Sequence, residues 1–203
     1  MGESAAGITF MSSMYLLLAG VNLTLIGLLP CIFFDSRGRK NAMWWATAAP
    51  FVAAGAVLVL CFAGVWQPWY LPVPGGVVIN ESIAVLFACV SIALIAYTIG
   101  THRVPLALWH QDDDAPRSIV TYGAYKYVRH PFYSAFLVAL TGTLIACPHP
   151  GTLLCLVYTA LMLHYTAGKE EHKLSNSEFG DEYRNYLAHT GRFLPRLGGS
   201  ASA

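Results

Sequence analysis

The chain has 203 residues, of which 56% are hydrophobic and only 11% carry a formal charge. Soluble domains carry about 25% charged residues, and the mean hydropathy here is +0.52, so the composition predicts an integral membrane protein. The net charge of +1 gives no basis for nucleic-acid binding by bulk charge. The five cysteines lie in or beside apolar runs and lack the spacing of a zinc site, so no metal is expected.

Five apolar stretches follow one another, at about 8–34, 43–66, 77–100, 132–147 and 152–167. A membrane span needs about 20 apolar residues, which the first three supply. The last two are shorter and are joined by a turn rich in proline and glycine. The N-terminus lacks the basic residues of a cleaved signal peptide, so the first stretch is read as a retained span. The pattern predicts an all-α integral membrane protein with five transmembrane helices, the last two forming a short hairpin.

The basic residues predict the orientation of these helices. All twelve Lys and Arg lie in the loop 35–42, in the loop 101–131 or in the tail after residue 167. With five spans these segments share one side of the membrane, which the positive-inside rule makes cytoplasmic. The N-terminus is then outside and the C-terminus cytoplasmic. We expect a three-helix transmembrane part over 1–100 and a catalytic part over 101–203.

Two further features of the sequence, an apolar stripe and a single carboxylate, allow a structural prediction. Phe179, Tyr183, Tyr186 and Leu187 form an apolar stripe at helical spacing, which predicts a C-terminal cytoplasmic helix that lies on the membrane surface or covers a pocket. Glu81 is interpreted as a helix-start carboxylate at the outer interface. The alternative for Glu81 is a functional acid within the membrane.

Polar and aromatic residues are concentrated at both ends of the predicted hairpin, in 121–133 and 168–172. A hairpin returns to the side it left, so these two segments are expected to meet at one membrane face. The adjacent acids Glu170 and Glu171 are costly at a lipid boundary unless they are paired. They either form salt bridges to Arg129, Lys126 or Lys169, or bind a cationic group of a ligand. S-adenosylmethionine is one such ligand among several, since aromatic faces attract its sulfonium.

The run 123–133, the Glu170–Glu171 pair, the run 179–183 and the closing Arg192-Phe193-Leu194-Pro195 resemble the isoprenylcysteine carboxyl methyltransferase family. The related phospholipid N-methyltransferases share this layout, and the resemblance covers about residues 100–196. It implies S-adenosylmethionine as cofactor, with S-adenosylhomocysteine as product, held between the last two helices and the tail. By resemblance Glu171 takes the α-amino group, and the other residues that line or contact the cofactor are Arg117, Ser118, Ile119, Val120, Tyr125, His130, Pro131, Phe132 and Tyr133.

Catalytic roles are assigned as hypotheses to Arg129, His130 and Glu170. Arg129 either orients an anionic substrate or anchors its helix. A carboxylate or thiolate acceptor needs no strong base, whereas an amine needs a proton acceptor, for which the candidates are His130, His164, Glu170 and Tyr133. The family's prenylcysteine enzymes carry a substrate-facing arginine where this chain has Ala167. That difference argues against the isoprenylcysteine carboxylate as the substrate.

The sequence therefore predicts an S-adenosylmethionine-dependent methyltransferase that works at the cytoplasmic membrane face on a lipophilic or small methyl acceptor. Its partners are the lipid bilayer and that acceptor, with no nucleic acid. One alternative is a membrane reductase that uses NADPH, because sterol reductases resemble the C-terminal layout, although those chains are much longer. The other is a non-catalytic membrane interaction protein, in which the two charged clusters pair only with each other.

Overall fold

Six α-helices account for most of the chain. The computed structural model describes residues 3–27, 34, 38–70, 76–101 and 119–196, with side chains from residue 13 onward. The helices are α1 (Glu3–Gly27), α2 (Ala42–Phe62), α3 (Gly76–Thr101), α4 (Pro131–Ala146), α5 (Pro150–Ser175) and α6 (Gly180–His189), and a 3₁₀ turn (Gly123–Lys126) precedes α4. Over these residues the all-α prediction is confirmed, and each of the five apolar stretches contains one helix.

The helices differ in whether they are long enough to cross a membrane. By length and composition α2, α3 and α5 can cross a membrane, while α4 is shorter, as is Ser13–Gly27, the part of α1 whose side chains the structure describes. With 16 residues, α4 is about 24 Å long at 1.5 Å per residue, against a hydrocarbon core of about 30 Å. The structure supports a helical membrane protein, and the count of five spans and their orientation stay predictions.

The turn between α4 and α5 is fixed by local hydrogen bonds. His149 is the N-cap of α5, and its Nδ1 accepts a hydrogen bond from the Gly151 amide at 3.0 Å. Thr152 Oγ1 in turn accepts from the His149 amide at 3.3 Å, which completes a capping box. Pro131 and Pro150 each lie in the first turn of their helix, where a missing N–H costs nothing. The predicted hairpin is therefore confirmed, but only α4 is short, since α5 has 26 residues.

Close packing of α4 on α3 is the most extensive helix contact in the bundle. A Cβ added to Gly142 would lie 2.8 Å from Phe87 Cβ and 3.2 Å from the Ala84 carbonyl oxygen, so the glycine allows the two helices to approach. On the other side of α4, Phe136 makes edge contacts with Phe51 and Phe132 at 5.0 and 4.9 Å between ring centroids. The Phe51–Phe136 contact joins α4 to α2, and the close approach at Gly142 joins it to α3.

Contacts at the two ends of the bundle show which segments share an end. The Trp69 amide donates to the Pro148 carbonyl at 2.7 Å, and Trp66 stacks on His149 at 4.9 Å, so the segment after α2 lies at the hairpin turn. At the opposite end, the Ala124 amide donates to Thr101 Oγ1, the last residue of α3, at 3.4 Å. The open ends of the hairpin therefore lie beside the end of α3.

The segment after the apolar part of α5 differs from the expected single tail helix. Helix α5 continues to Ser175, and α6 begins separately at Gly180. A Cβ on Gly180 would lie 2.4 Å from the Ser175 carbonyl oxygen, so the glycine that interrupts the apolar stripe allows a tight turn between the two helices.

The interpretation of Glu81 as an interfacial helix-start carboxylate is wrong. Helix α3 begins at Gly76, so Glu81 lies more than one turn inside it, and its exposed fraction is 1%. Within the part of the chain that the structure describes, neither carboxylate oxygen has a hydrogen-bond partner. Glu81 is a buried, unpaired acid at the end of the bundle that carries the hairpin turn.

Candidate active site

The two polar segments meet at the open end of the hairpin. Arg129 Nε donates to Glu171 Oε1 at 2.9 Å, and His130 Nε2 lies 3.3 Å from the same oxygen. The Tyr133 hydroxyl donates to Glu170 Oε1 at 2.7 Å. The proximity expected from the hairpin is thus confirmed by contacts between residues about forty positions apart.

Helix boundaries place these side chains. His130 is the N-cap of α4 and Tyr133 lies in its first turn, so their rings stack at 5.2 Å with an interplanar angle of 3°. Glu170 and Glu171 lie near the end of α5, where adjacent residues point about 100° apart. Glu170 therefore faces the Tyr133 hydroxyl, with one oxygen 3.5 Å from His130 Nδ1, while Glu171 faces the basic groups.

A third segment, residues 191–193, completes the site. It runs parallel to 128–130: the Arg129 amide donates to the Gly191 carbonyl at 2.8 Å and the His130 amide to the Arg192 carbonyl at 3.1 Å. Ser134 Oγ donates to the Phe193 carbonyl at 2.7 Å. A Cβ on Gly191 would lie 1.8 Å from the Leu194 carbonyl oxygen, so the tight bend requires glycine.

This segment adds one charged residue, Arg192, to the site. Its Nε donates to Glu171 Oε1 at 3.1 Å and its Nη2 forms an ion pair with Oε2. We call Arg129, His130, Tyr133, Glu170, Glu171 and Arg192 the hairpin-end cluster. Its two guanidinium groups lie beside two carboxyl groups, and burial raises the pKa of one of these, Glu170, to about 7, so Glu170 is only partly ionised at neutral pH. The salt-bridge interpretation of the acids thus applies to Glu171, which pairs with Arg129 and Arg192.

Burial of the hairpin-end cluster is uneven. The Glu171 side chain is 8% exposed and that of Arg129 11%, whereas Glu170 is 23% and Arg192 27% exposed. Arg129 also donates to the carbonyls of Leu187 and Thr190. With Glu171, its guanidinium group therefore binds three acceptors. Arg192 and Glu170 are the charged members that a ligand can reach with the least rearrangement.

Helix α6 covers the cluster from the side of the tail. Tyr183 is buried, and the Tyr186 hydroxyl donates to the Tyr125 carbonyl at 2.5 Å. Burial raises the pKa of Tyr125 to about 12 and also raises the pKa values of Tyr183 and Tyr186. These phenols are therefore neutral at pH 7. The expected covering role of the apolar stripe is consistent with this packing.

Burial lowers the pKa of His130 below its ordinary value, although the hydrogen bond to Glu171 acts in the opposite direction. His130 is therefore a neutral imidazole at pH 7. A neutral imidazole retains one nitrogen lone pair, so His130 can accept a proton or a hydrogen bond.

The remaining expected site residues are spread around the cluster. Pro131 and Phe132 are buried in the first turn of α4, and Phe132 packs into the core against Phe136. Ile119 and Val120 are half-buried ahead of the 3₁₀ turn. Arg117 and Ser118 lie outside the described residues. Ala167 is fully buried in the core.

Two site residues were missed when roles were assigned from the sequence. Arg192 and Phe193 appeared only as a closing motif, yet Phe193 makes edge contacts with His130 and Tyr133, at 6.1 and 6.5 Å between ring centroids. The motif was the available signal, but its distance from residues 129–133 in the chain gave no reason to place it there. His164, a candidate base, lies 3.2 Å from Arg192 Nη1 through its Nδ1.

Fold and site together define an all-helical membrane protein with a charged, aromatic-walled cluster at one end of a helical hairpin. Residues 85–176 match the sequence model of the isoprenylcysteine carboxyl methyltransferase (ICMT) family. The resemblance to this family of membrane methyltransferases is therefore confirmed over α4, α5 and most of α3. The match ends before α6 and the segment 191–193.

One curated relative is methanethiol S-methyltransferase 1 of Bradyrhizobium diazoefficiens. It is 26% identical over 194 residues, an alignment that covers 86% of this chain and 66% of the relative. This chain thus spans slightly less than two thirds of the length of that relative. No solved structure matches the chain.

Proposed function

We propose that the protein is an S-adenosylmethionine-dependent methyltransferase that acts at the cytoplasmic membrane face. The observation that carries this proposal is the hairpin-end cluster, in which two acids, two arginines and an aromatic imidazole–phenol stack lie in mutual contact. The match to the ICMT family over 85–176 supports it.

The chemistry of these residues fits the cofactor. A carboxylate suits its α-ammonium and a guanidinium suits its α-carboxylate, while aromatic faces attract a sulfonium. Glu170 can receive a cation without losing an ion pair to arginine, whereas Glu171 has to exchange Arg192 for the ammonium. Tyr133 and Phe193 supply the aromatic faces. When bound, the cofactor supplies an electrophilic methyl group on sulfur.

The chain's own residues contribute alignment and exclusion of water. Because Arg129 is held by Glu171 and by two carbonyls, we assign it to anchoring the cluster. Holding the acceptor in line with the methyl group removes much of the entropic barrier. With an anionic acceptor, charge is neutralised in the transition state, so a site of low water content favours the reaction.

A small thiol is the acceptor that we propose. Position 167, where prenylcysteine enzymes of the family carry a substrate-facing arginine, is a fully buried alanine, so no cation is provided there for a prenylcysteine carboxylate. The relative named methanethiol S-methyltransferase supports a thiol. Neutral His130 can take the thiol proton as the sulfur forms its bond to the methyl carbon.

The first experiment is ligand stabilisation of the purified full chain in detergent. A ligand that binds only the folded state, at 100 times its Kd, stabilises the protein by about 2.7 kcal/mol. We expect S-adenosylmethionine to raise the melting temperature and NADPH to leave it unchanged. The reverse result would assign the protein to the reductases, and no effect of either would leave a non-catalytic membrane protein.

Labelled methyl transfer then tests the acceptor. The enzyme is assayed with methanethiol, a prenylcysteine analogue and a total lipid extract, each in turn. We expect label in the thiol. Label in the prenylcysteine analogue alone would show that Ala167 does not exclude that substrate.

Paired variants test the carboxylates. Glu171→Ala would leave Arg129 buried without its partner, which costs about 3–5 kcal/mol, so the isosteric Glu171→Gln and Glu170→Gln are better choices. Calorimetry with S-adenosylmethionine should show weaker binding for at least one of them, and the larger loss identifies the acid that receives the ammonium. Glu178→Gln, an exposed acid before α6, is the control. Unchanged affinity in both test variants would refute the proposed pocket.

A further inference from the structure

A groove of about 450 Å³ lies beside the hairpin-end cluster on the outer face of α5. It is lined by His164, Tyr165, Gly168, Lys169, His172 and Arg192. None of these described lining residues is acidic. Two carry a positive charge at pH 7, two are histidines, and Arg192 shares its charge with Glu171 inside the protein.

The groove continues an exposed apolar face of the same helix. Leu154, Leu161 and Tyr165 are 60–68% exposed, and their spacing of seven and four residues places them on one side of α5. Gly168 and His172 follow three and seven residues after Tyr165, on that same side. One face of α5 therefore changes from apolar to basic along its length.

The position of this change matches the boundary of a membrane. Gly168 lies about 27 Å along the axis from Pro150 at 1.5 Å per residue, close to the hydrocarbon thickness of about 30 Å. With α5 as a membrane span that begins near Pro150, the apolar part of the face lies at the depth of acyl chains and the basic part at the depth of headgroups.

Gly168 keeps the groove open. A glycine inside a helix costs about 0.5–1 kcal/mol relative to alanine, and here no atom of the described residues, apart from the chain neighbours and the helix's own nearby backbone, lies within 4 Å of the position that a Cβ would occupy. Packing between helices therefore does not explain the glycine. Lys169, whose Nζ lies 4.5 Å from the Tyr165 ring centroid, is held at the edge of the same space.

We infer that this groove binds the phosphate headgroup of an acidic phospholipid, with an acyl chain along Leu154 and Leu161. Lys169, Arg192 and the two histidines supply donors to the phosphate, and their positive charge favours an acidic over a zwitterionic lipid. The same charge opposes a sulfonium or an ammonium, so the groove takes a ligand of different chemistry from the cofactor, although Arg192 borders both sites. The inference does not depend on the proposed function.

The test uses the full chain in nanodiscs of equal parts phosphatidylglycerol and phosphatidylcholine, followed by mass spectrometry of the lipids that stay bound. We expect retention of phosphatidylglycerol over phosphatidylcholine. Lys169→Gln should reduce this preference about fivefold, the effect of one basic group near an acidic surface. Gly168→Leu should remove the retained lipid by filling the groove.

Two matched controls separate the groove from general surface effects. Lys126→Gln removes an exposed lysine elsewhere on the protein, and Gly100→Leu adds a side chain at another helical glycine with open space around it. Both should keep the lipid preference of the parent chain. Equal losses in Lys169→Gln and Lys126→Gln, equal retention of both lipids by the parent, or displacement of the lipid by inorganic phosphate would each overturn the inference. Lys169→Gln keeps the test decisive even if Gly168→Leu fails to fold.

Discussion

Glu171 is the residue on which the charges of the candidate site converge. Its two oxygens accept from two guanidinium groups, and one of them also lies beside an imidazole. Charge-assisted hydrogen bonds of this kind are about twice as strong as neutral ones. Its neighbour Glu170 contacts a phenol and the same imidazole instead. One turn of helix thus presents one carboxylate bound to arginines and another to which no arginine of the described residues is bound.

His130 should make the stability of the protein depend on pH. Burial lowers its folded-state pKa below the ordinary value of 6.5, so the unfolded chain binds more protons once the pH falls below about 6.5. The contribution of His130 to stability is therefore complete above that pH and is lost as the pH falls through its folded-state pKa, whereas Glu170, whose pKa burial raises to about 7, acts in the opposite direction. Melting temperatures between about pH 7.5 and pH 5.5 should fall less steeply for His130→Gln than for the parent chain. Parallel curves would contradict the buried neutral imidazole.

Glu81 should reduce stability without any compensating contact among the described residues. Burying unpaired polar atoms costs about 1–3 kcal/mol, so Glu81→Met, which fills similar space without these oxygens, should raise the melting temperature in detergent. The exposed Glu178→Met serves as control and should change little. A lower melting temperature for Glu81→Met would mean that the carboxylate has a partner outside the described part of the chain.

At the scale of helices, hydropathy predicted the position of each helix in the chain better than the residue at which the helix ends. The fifth apolar stretch stops at residue 167, but α5 continues to Ser175. Hydropathy reports the surroundings of a helix, whereas its continuation depends on backbone hydrogen bonds and on residues such as Lys169, Glu170 and Lys173, which favour helix. The two acids of the site, Glu170 and Glu171, lie in that extension.

Contacts between distant segments were predictable only where topology forced them. The hairpin required residues near 130 to meet residues near 170, and they do. Arg192 reaches Glu171 through the turn before α6 and the tight bend at Gly191, and no periodicity in the sequence indicates that path. Burial of Glu81 was missed because a carboxylate near the start of an apolar stretch was assumed to stay at the interface, whereas α3 begins at Gly76 and places it inside the helix.

The junction between α3 and the 3₁₀ turn should be sensitive to a single methyl group. Gly123 has φ of +61° and a Cβ there would lie 2.3 Å from Thr101 Oγ1, whereas Gly64 has φ of +72° with open space around it. Both alanine variants bear the left-handed strain of about 1–2 kcal/mol, and Gly123→Ala bears the clash as well. Denaturation in detergent should rank Gly123→Ala as clearly less stable than Gly64→Ala. Equal stabilities would show that Thr101 moves aside freely.

For the whole molecule, the hairpin-end cluster depends on three segments that are far apart in the chain: 128–133, 170–171 and 190–193. Two of these are carried by helices of the bundle, and the third is held by backbone hydrogen bonds to residues 129 and 130. The site is therefore a property of the assembled bundle rather than of any one helix.

Ending the chain after Thr190 should separate assembly of the bundle from completion of the site. This truncation removes Arg192 and Phe193, so S-adenosylmethionine should no longer raise the melting temperature, while the helical content of the bundle is kept. A chain that ends after Arg196 keeps every described residue and is the matched control. Stabilisation by the cofactor in both truncated chains would exclude Arg192 and Phe193 from the pocket.

The parallel pairing of residues 128–130 with 191–193 has a consequence for biosynthesis. A ribosome makes the N-terminal partner about sixty residues before the C-terminal one, so α4 and α5 can enter the bilayer while Glu171 still lacks Arg192. A nascent chain thus passes through a period in which its membrane helices are made and the hairpin-end cluster is incomplete. The cluster is completed only once residues 191–193 emerge and pair with residues 128–130, so its assembly follows synthesis of the helices that carry it.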